Sequence, residues 1–315
     1  MKEAYPNQSE RLSPLVQRLR APNPSPLTLT GTNSYLVGVE GGRERVVIDP
    51  GPSLPLHLEA LVGIAEKAQA KISLIAVTHD HPDHYPGAVR LREMTGARIA
   101  AYQGTTFPYD LPLEDGSYLQ TATVTLLAIY TPGHSPDHLC FYLEEEKALF
   151  TGDLILGSGT VVVAPPKGDM ADYLHSLHKL EEGWGEAQVI YGGHGPEITN
   201  PSAKIREYLN HRKAREKQLL AALQAGATTL PEIVAQIYQE VDKRIWPAAA
   251  RQVMAYLIML EEQGLLDAGE ERPATLEEEA LLNPQGIFDP LVLAELGLEP
   301  GGEKVRSYRL KEIRT

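Results

Sequence analysis

Residues 72–87 read ISLIAVTHDHPDHYPG, and this stretch decides how the rest of the chain is understood. Ile72 to Val77 is an apolar, β-branched run of the length of a fully buried strand. It switches abruptly to His79, Asp80, His81, Pro82, Asp83 and His84, which places three imidazoles and two carboxylates within six residues. A packed core does not tolerate that density of ionisable groups without partners. An imidazole and carboxylate cluster at a strand end has the chemistry of a divalent first-row metal site.

Three later segments repeat the theme of an apolar strand, a glycine and then a ligand-type side chain. His134 follows Leu126–Tyr130, Asp153 follows Ala148–Phe150, and His194 follows Val189–Tyr191. Loops at strand ends on a rigid sheet are where active sites are commonly built. If these loops open on one edge, five histidines and two aspartates converge. That is enough for two cations about 3.5–4 Å apart, bridged by a carboxylate and a water.

Around these motifs the chain reads as strands, then alternating strand and helix, then strands again, which suits two sheets with helices outside. Residues 1–27, rich in Pro, Asn, Ser and Arg, are expected to wrap the surface. Leu27–Glu40 and Arg45–Ile48 are read as strands around Gly41-Gly42, with Asp49-Pro50-Gly51-Pro52 breaking the second. Leu54–Ala70 is read as a helix with Leu56, Leu58, Leu61, Ile64 and Ala65 on one face. Further helices are expected at Ala88–Met94 and Met170–Glu182. Strands are expected at Arg98–Tyr102, Val124–Tyr130, Leu139–Leu143, Ala148–Phe150 and Gln188–Tyr191.

After Asn200 the character changes. A long basic helix, Ala203–Ala225, is followed by a capping-box helix from Thr229 to about Val241 and a third helix opened by Trp246-Pro247. Leu265–Ala268 and Ser307–Glu312 are read as a hairpin, completing a winged-helix arrangement. The acidic segment 270–302 is read as an insertion with one short helix. The expected domains are therefore 1–200 and 201–315.

The net charge of −13 argues against nonspecific affinity for nucleic acid or anionic membrane. The single cysteine, Cys140, excludes an internal disulfide and suits a reducing, cytoplasmic compartment; it is expected to be inert core. No apolar stretch approaches the ~20 residues of a membrane span, and no signal-peptide pattern is read. The remaining histidines have bland readings. His57, His175 and His178 are expected on helix surfaces. His138 either orients a ligand or packs. His211, Arg212 and Arg215 form either a solvated face or a phosphate-facing rim. Thr32-Asn33 is expected to stabilise the first hairpin turn.

The H-x-H-x-D-H pattern of His79, His81, Asp83 and His84, with His134, Asp153 and His194 following in order, resembles the metallo-β-lactamase superfamily. The resemblance implies an α+β, four-layer αβ/βα sandwich. It also implies that His79, His81 and His134 hold one metal, that Asp83, His84 and His194 hold a second, and that Asp153 bridges them. The metals are expected to be Zn, with Fe and Mn also fitting the donor set. TLTGTNSYLVG, TPGHSPDH, FTGDLILGSGT, YGGHGPEI and AKIREYLNHRKAREKQLL, with the winged helix, are similar to the beta-lactamase-like protein 2 family. That similarity implies a metal-dependent endoribonuclease acting on single-stranded RNA.

The expected mechanism is hydrolysis by a metal-bridging hydroxide, with Asp83 managing the proton. Thioester hydrolysis of the glyoxalase II type uses the same ligands and is the alternative substrate class. The short span between Asp153 and His194 excludes the inserted domain of β-CASP nucleases. A nucleic-acid-binding regulator is the non-enzymatic alternative. Only Lys243, Arg244 and Arg251 flank the third helix, however, which favours a role in shaping the cleft or a homodimer interface.

Overall fold

The computed structural model describes residues 9–282 and 304–311. Seven strands form the first sheet in sequential order: β1 (Glu10–Arg11), β2 (Val16–Arg20), β3 (Asn33–Val37), β4 (Glu44–Ile48), β5 (Lys71–Ala76), β6 (Arg98–Tyr102) and β7 (Leu111–Leu113). Helices α1 (Pro55–Lys67) and α2 (Pro86–Thr95) are the crossovers that make β4, β5 and β6 parallel. The second sheet runs in the order β12-β11-β10-β9-β8. Its strands are β8 (Tyr118–Gln120), β9 (Thr125–Tyr130), β10 (Leu139–Leu143), β11 (Ala148–Gly152) and β12 (Val189–Gly192), with α3 (Met170–Trp184) crossing between the last two.

The period of two along each strand sets the layers. Val46, Ile48, Leu74 and Ala76 of the first sheet meet Leu126, Ala128, Phe141 and Phe150 of the second in one buried cluster. The alternate residues Val47, Ile75 and Val77 face outward and pack under Leu58, Leu61, Ala88 and Leu91 of α1 and α2. On the far side, Cys140, Leu149 and Ile190 pack against Tyr173, Leu177 and Leu180 of α3. The result is helix, sheet, sheet, helix. Each fully buried aliphatic side chain contributes about 1.5–3 kcal/mol to holding the layers together.

The C-terminal helices extend the outer layer. Helix α4 (Pro201–Gln224) lies beside α3; α5 (Leu230–Ile237) and α6 (Trp246–Glu262) follow. Strand β13 (Leu266–Ala268) pairs antiparallel with β16 (Tyr308–Leu310), the expected hairpin. Between them β14 (Arg272–Pro273) pairs with β15 (Lys304–Val305), and α7 (Leu276–Leu282) packs on α5 and α6. Residues 283–302 of the expected insertion, and 1–8 of the expected N-terminal wrap, lie outside the described residues. No described helix is long and apolar enough to cross a membrane.

Several expectations need correction. The N-terminal segment does not wrap the surface: β2 is part of the first sheet, with Val16 and Leu19 fully buried. Its Arg18 is also buried, tolerated because Glu10 and Glu197 lie 2.5 and 3.3 Å away. The first of the paired strands spans only Asn33–Val37, because residues 27–32 form turns beside the site. Helix α1 buries Leu58, Leu61 and Ala65 with Ile64 packed beside them, as expected, and departs from the expectation at its first turn. Its buried face is His57, Leu58, Leu61 and Ala65, leaving Leu56 57% exposed. His57 is accordingly buried, with Nε2 2.9 Å from Ser34 Oγ, rather than a surface residue. His175 and His178 are exposed, as expected.

Candidate metal centre

The strand ends converge. Parallel β4 and β5 finish at Asp49 and at the 79–84 loop, while β9, β11 and β12 deliver His134, Asp153 and His194 from the other sheet. The sheets are tied together at this edge by Leu139 N–H to Thr78 O at 2.8 Å and Asn33 N–H to Gly193 O at 2.7 Å. All seven sequence-predicted residues are brought together there.

His79 Nε2 and His134 Nε2 each lie 2.9 Å from His81 Nδ1. Asp83 Oδ2 lies 3.2 Å from His84 Nε2 and 3.1 Å from His194 Nε2. Asp153 stands between the two groups: its Oδ2 is 3.4 Å from His194 and 3.8 Å from His134, and its Oδ1 is 3.5 Å from His84. Three overlapping sets can hold a cation: His79/His81/His134, His79/His84/Asp153 and Asp83/His84/His194.

The ring orientations are set from behind. His79 Nδ1 meets Thr78 Oγ1 at 2.9 Å, His84 Nδ1 meets Asp49 Oδ2 at 2.8 Å, His134 Nδ1 meets Val162 O at 3.0 Å, and His194 Nδ1 meets Gly31 O at 3.3 Å. A partner that fixes one ring nitrogen leaves the other free to ligate. His81 is reversed, presenting Nδ1 inward. Among the described residues, His84 Nε2 and Asp153 Oδ1, which face the cluster, are buried with no hydrogen-bond partner. Buried polar atoms without partners are costly, and here they are the donor types of a first-row cation.

Electrostatics agree with that donor chemistry. Burial pushes His79 and His81 well below the ordinary imidazole range, and the neighbouring imidazoles His84 and His134 add to it. Burial alone works against charge on His84 and His194 too, but the facing aspartates win. His84 is held well above its usual value by Asp83, Asp153 and Asp49, and His194 is raised to about 10 by Asp153 and Asp83. Burial likewise raises Asp83 and Asp153, but His84 and His194 hold both carboxyls well below the usual range. The space between the carboxylates demands positive charge, which a dication supplies.

Sequence reasoning missed the residues that hold the ligands. Asp49 is more than a strand breaker. It is 2% exposed, sits at φ +46°, and its carboxylate accepts from Thr78 N (2.8 Å), Thr78 Oγ1 (2.7 Å) and His84 Nδ1. The sequence carries a signal for it: an aspartate ending the strand that runs parallel to β5. Thr32 does not serve a hairpin turn. Its hydroxyl donates to Asp83 Oδ2 at 3.1 Å, while Asn33 donates to the carbonyls of Gly192 and Gly195. His138 takes the orienting role: Nδ1 meets Thr131 Oγ1 at 2.9 Å and Nε2 accepts the Asp153 N–H at 3.2 Å. Arg212 is neither a solvated face nor a phosphate rim. It is fully buried, its guanidinium 4.8 Å from the Tyr173 ring centroid, and it donates to Val161 O at 2.7 Å. Cys140 is buried as expected, its thiol pushed up to about 12 by burial.

The cluster floors a cavity of about 140 Å³. Its walls are mostly apolar, with Leu27, Leu29, Leu156, Val161, Val162 and Ala164, but also include Thr28, Ser158 and Thr160, and Lys167 lines it too. Lys167 is already paired with Asp80, at 2.9 and 3.0 Å from the two carboxylate oxygens.

Comparison with known proteins agrees with this architecture. The Metallo-beta-lactamase superfamily description matches residues 27–194, and the Beta-lactamase associated winged helix domain matches 229–272. A Beta-lactamase-like protein 2 homolog of Drosophila melanogaster is 34% identical over 277 residues, covering 81% of this chain and 91% of that protein. An Atrochrysone carboxyl ACP thioesterase of Aspergillus chevalieri is 34% identical over 259 residues, covering 79% and 82%. A crystal structure of a metallo-beta-lactamase family protein from Thermus thermophilus superposes with a TM-score of 0.68 at 26% identity, covering 82% of this chain and 97% of that one.

Proposed function

The chain belongs to the metallo-beta-lactamase superfamily, with an appended winged-helix domain, and is a hydrolase of that family. From that premise we propose that it hydrolyses acyl thioesters at a two-metal centre, with zinc as the metal. His79, His81 and His134 would hold one ion and Asp83, His84 and His194 the other, with Asp153 placed to serve both. When bound, such a pair supplies Lewis acidity and a water acidic enough to attack near neutral pH.

The chain's own residues do the rest. The apolar walls seat the acyl group and exclude bulk water. The ionised Asp83, held in place by the Thr32 hydroxyl, receives the proton of the attacking water and returns it to the departing sulfur. A C–O bond forms, the C–S bond breaks, and the products are a carboxylic acid and a thiol. No nucleophilic side chain is needed; Cys140 is buried on the far face of its strand.

The observation that carries this reading is the cavity wall. A wall that is mainly apolar, interrupted by the uncharged Thr28, Ser158 and Thr160 and by one lysine paired with Asp80, fits an acyl chain better than a polyanion. The ACP thioesterase relative supports the same substrate class. Cleavage of single-stranded RNA is the second reading, favoured by His211 and Arg215 at the margin of the adjoining groove. Among the described residues that line the cavity and groove, Lys167 and Arg215 are the lysine and arginine and Tyr238 the one aromatic ring outside the histidines, short of the continuous basic track and repeated stacking platforms that single strands ordinarily require.

One assay separates them. Metal-loaded protein is given an octanoyl thioester, labelled single-stranded RNA and a β-lactam, each with a chelator control. Chelator-sensitive release of thiol from the thioester alone is expected. RNA cleavage without thioester turnover would replace the first reading with the second.

A further inference from the structure

The cavity over the metal cluster does not end at its walls. Pro26, Leu27, Thr160 and Val162 line both it and a second groove of about 210 Å³, so the two adjoin along one rim. The far side of this groove belongs to the C-terminal helices. The small residues Ala248 and Ala249 of α6 leave it open, and Tyr238 and Val241 provide apolar contact. The polar groups Arg215 and His211 also line it. Arg215 stacks 4.4 Å from the Tyr238 ring centroid and hydrogen-bonds only Gln218 Oε1 (2.9 Å) and, at the 3.5 Å limit, Ile237 O. Among the described residues no carboxylate forms an ion pair with it. Beside it His211 is half-buried, and its Nδ1 has no partner among the described residues.

A groove beside an acyl-hydrolysing centre that combines apolar walls with an unneutralised guanidinium and an unpartnered imidazole has the polarity of an amphipathic chain ending in an anion. An acyl chain would leave both polar groups unpaired. Resting on the thioesterase reading, we propose that this groove seats the thiol-side arm of the substrate, a phosphopantetheine, with its phosphate on Arg215 and His211. Guanidinium to phosphate is among the stronger charge-assisted pairings. The winged-helix half of the chain then acts as a specificity wall for the leaving group. The acyl group occupies the cavity over the metals, and the arm leaves along α4 and α6.

The test compares octanoyl-phosphopantetheine with octanoyl-pantetheine on the intact, metal-loaded protein. Wild type is expected to favour the phosphorylated substrate about tenfold or more in kcat/KM, the discrimination of one good charge-assisted contact. In Arg215→Ala and Arg215→Gln that ratio should fall to about threefold or less. The ratio is taken within one preparation, so partial unfolding or incomplete metal loading cancels. A wild-type ratio near one, or a ratio unmoved by either substitution, overturns the subsite and leaves the thioesterase reading standing. If neither substrate is turned over, the thioesterase reading fails. Calorimetry of free phosphopantetheine against pantetheine then decides the groove: a phosphate preference lost in the variants supports it, and its absence overturns it. Octanoyl-CoA and an octanoyl carrier protein distinguish the two sources of the arm. Arg215-dependent turnover of either one supports the subsite and names its natural bearer.

Discussion

Asp49→Asn isolates the contribution of a residue that touches no proposed ligand atom of the metals directly. The backbone at Asp49 lies at φ +46°, a region that aspartate and asparagine both enter, so the substitution leaves the chain path alone. The hydrogen-bond logic changes instead. Thr78 N–H can only donate, so it pins the amide oxygen at the position of Oδ1. The amide NH2 then faces His84 Nδ1, which must become an acceptor, and the ring proton moves to Nε2, the atom that faces Asp83 and Asp153. An Nε2–H cannot ligate. Loss of such a supporting carboxylate typically costs 10–100-fold in metal affinity, or about 1.4–2.7 kcal/mol. The loss should fall on the ion held by His84 and spare the one held by His79, His81 and His134. Zinc titration against a chromogenic chelator should show two tight equivalents in wild type and one tight plus one weakened in the D49N protein. Two equivalents of undiminished affinity would refute the tautomer argument.

Gly193→Ala should abolish hydrolysis while leaving the fold largely intact. A Cβ there would lie 2.7 Å from His84 Cε1 and collide with Asp153 Oδ1, and activity retained at more than about a tenth of wild type would contradict this. His57 should make stability acid-sensitive. Burial lowers it from 6.5 to about 4, so the neutral folded form is favoured above 6.5 and that contribution is lost as pH falls towards 4, up to about 3 kcal/mol. Urea midpoints between pH 7 and 4 should fall less steeply in His57→Gln, which keeps a partner for Ser34; equal slopes would exclude His57 as the source. Cys140→Ala should keep full activity and lose only about 1–2 kcal/mol of stability, as measured by denaturant unfolding, because the thiol is core packing. Chelation should lower the thermal midpoint by removing the charge that reconciles Asp83 with Asp153; an unchanged midpoint in chelator would deny that the cluster binds a cation.

The ligand set was legible because each member announces itself locally. A glycine turn follows an apolar strand, and the side chain after it is too polar for any other use at that place. The layers were legible for the same reason that Val46 and Val47 part company: alternation along a strand is a local property. What escaped was whatever depends on a distant partner. Arg18 and Arg212 carry charges that default to solvent, and only Glu10 with Glu197, or Tyr173 with the Val161 carbonyl, makes burial tolerable. The first turn of α1 was misjudged, with Leu56 exposed and His57 buried, because Ser34 offers the imidazole a hydrogen bond. Asp49 and Thr32 looked like turn formers, since nothing near them in sequence shows that Thr78, His84 and Asp83 stand opposite.

The two peptide groups that flank Val162 are gripped from different sides. Arg212, reaching from α4, holds the first carbonyl, and the second holds the imidazole of His134. A tilt of the C-terminal bundle is therefore passed along two consecutive amide planes, joined at Val162, to a ring in the reaction centre. Exchanging this bundle for one from a relative would retune the hydrolytic machinery as well as the entrance, and grafting the sandwich alone onto another scaffold would carry a slackened imidazole with it.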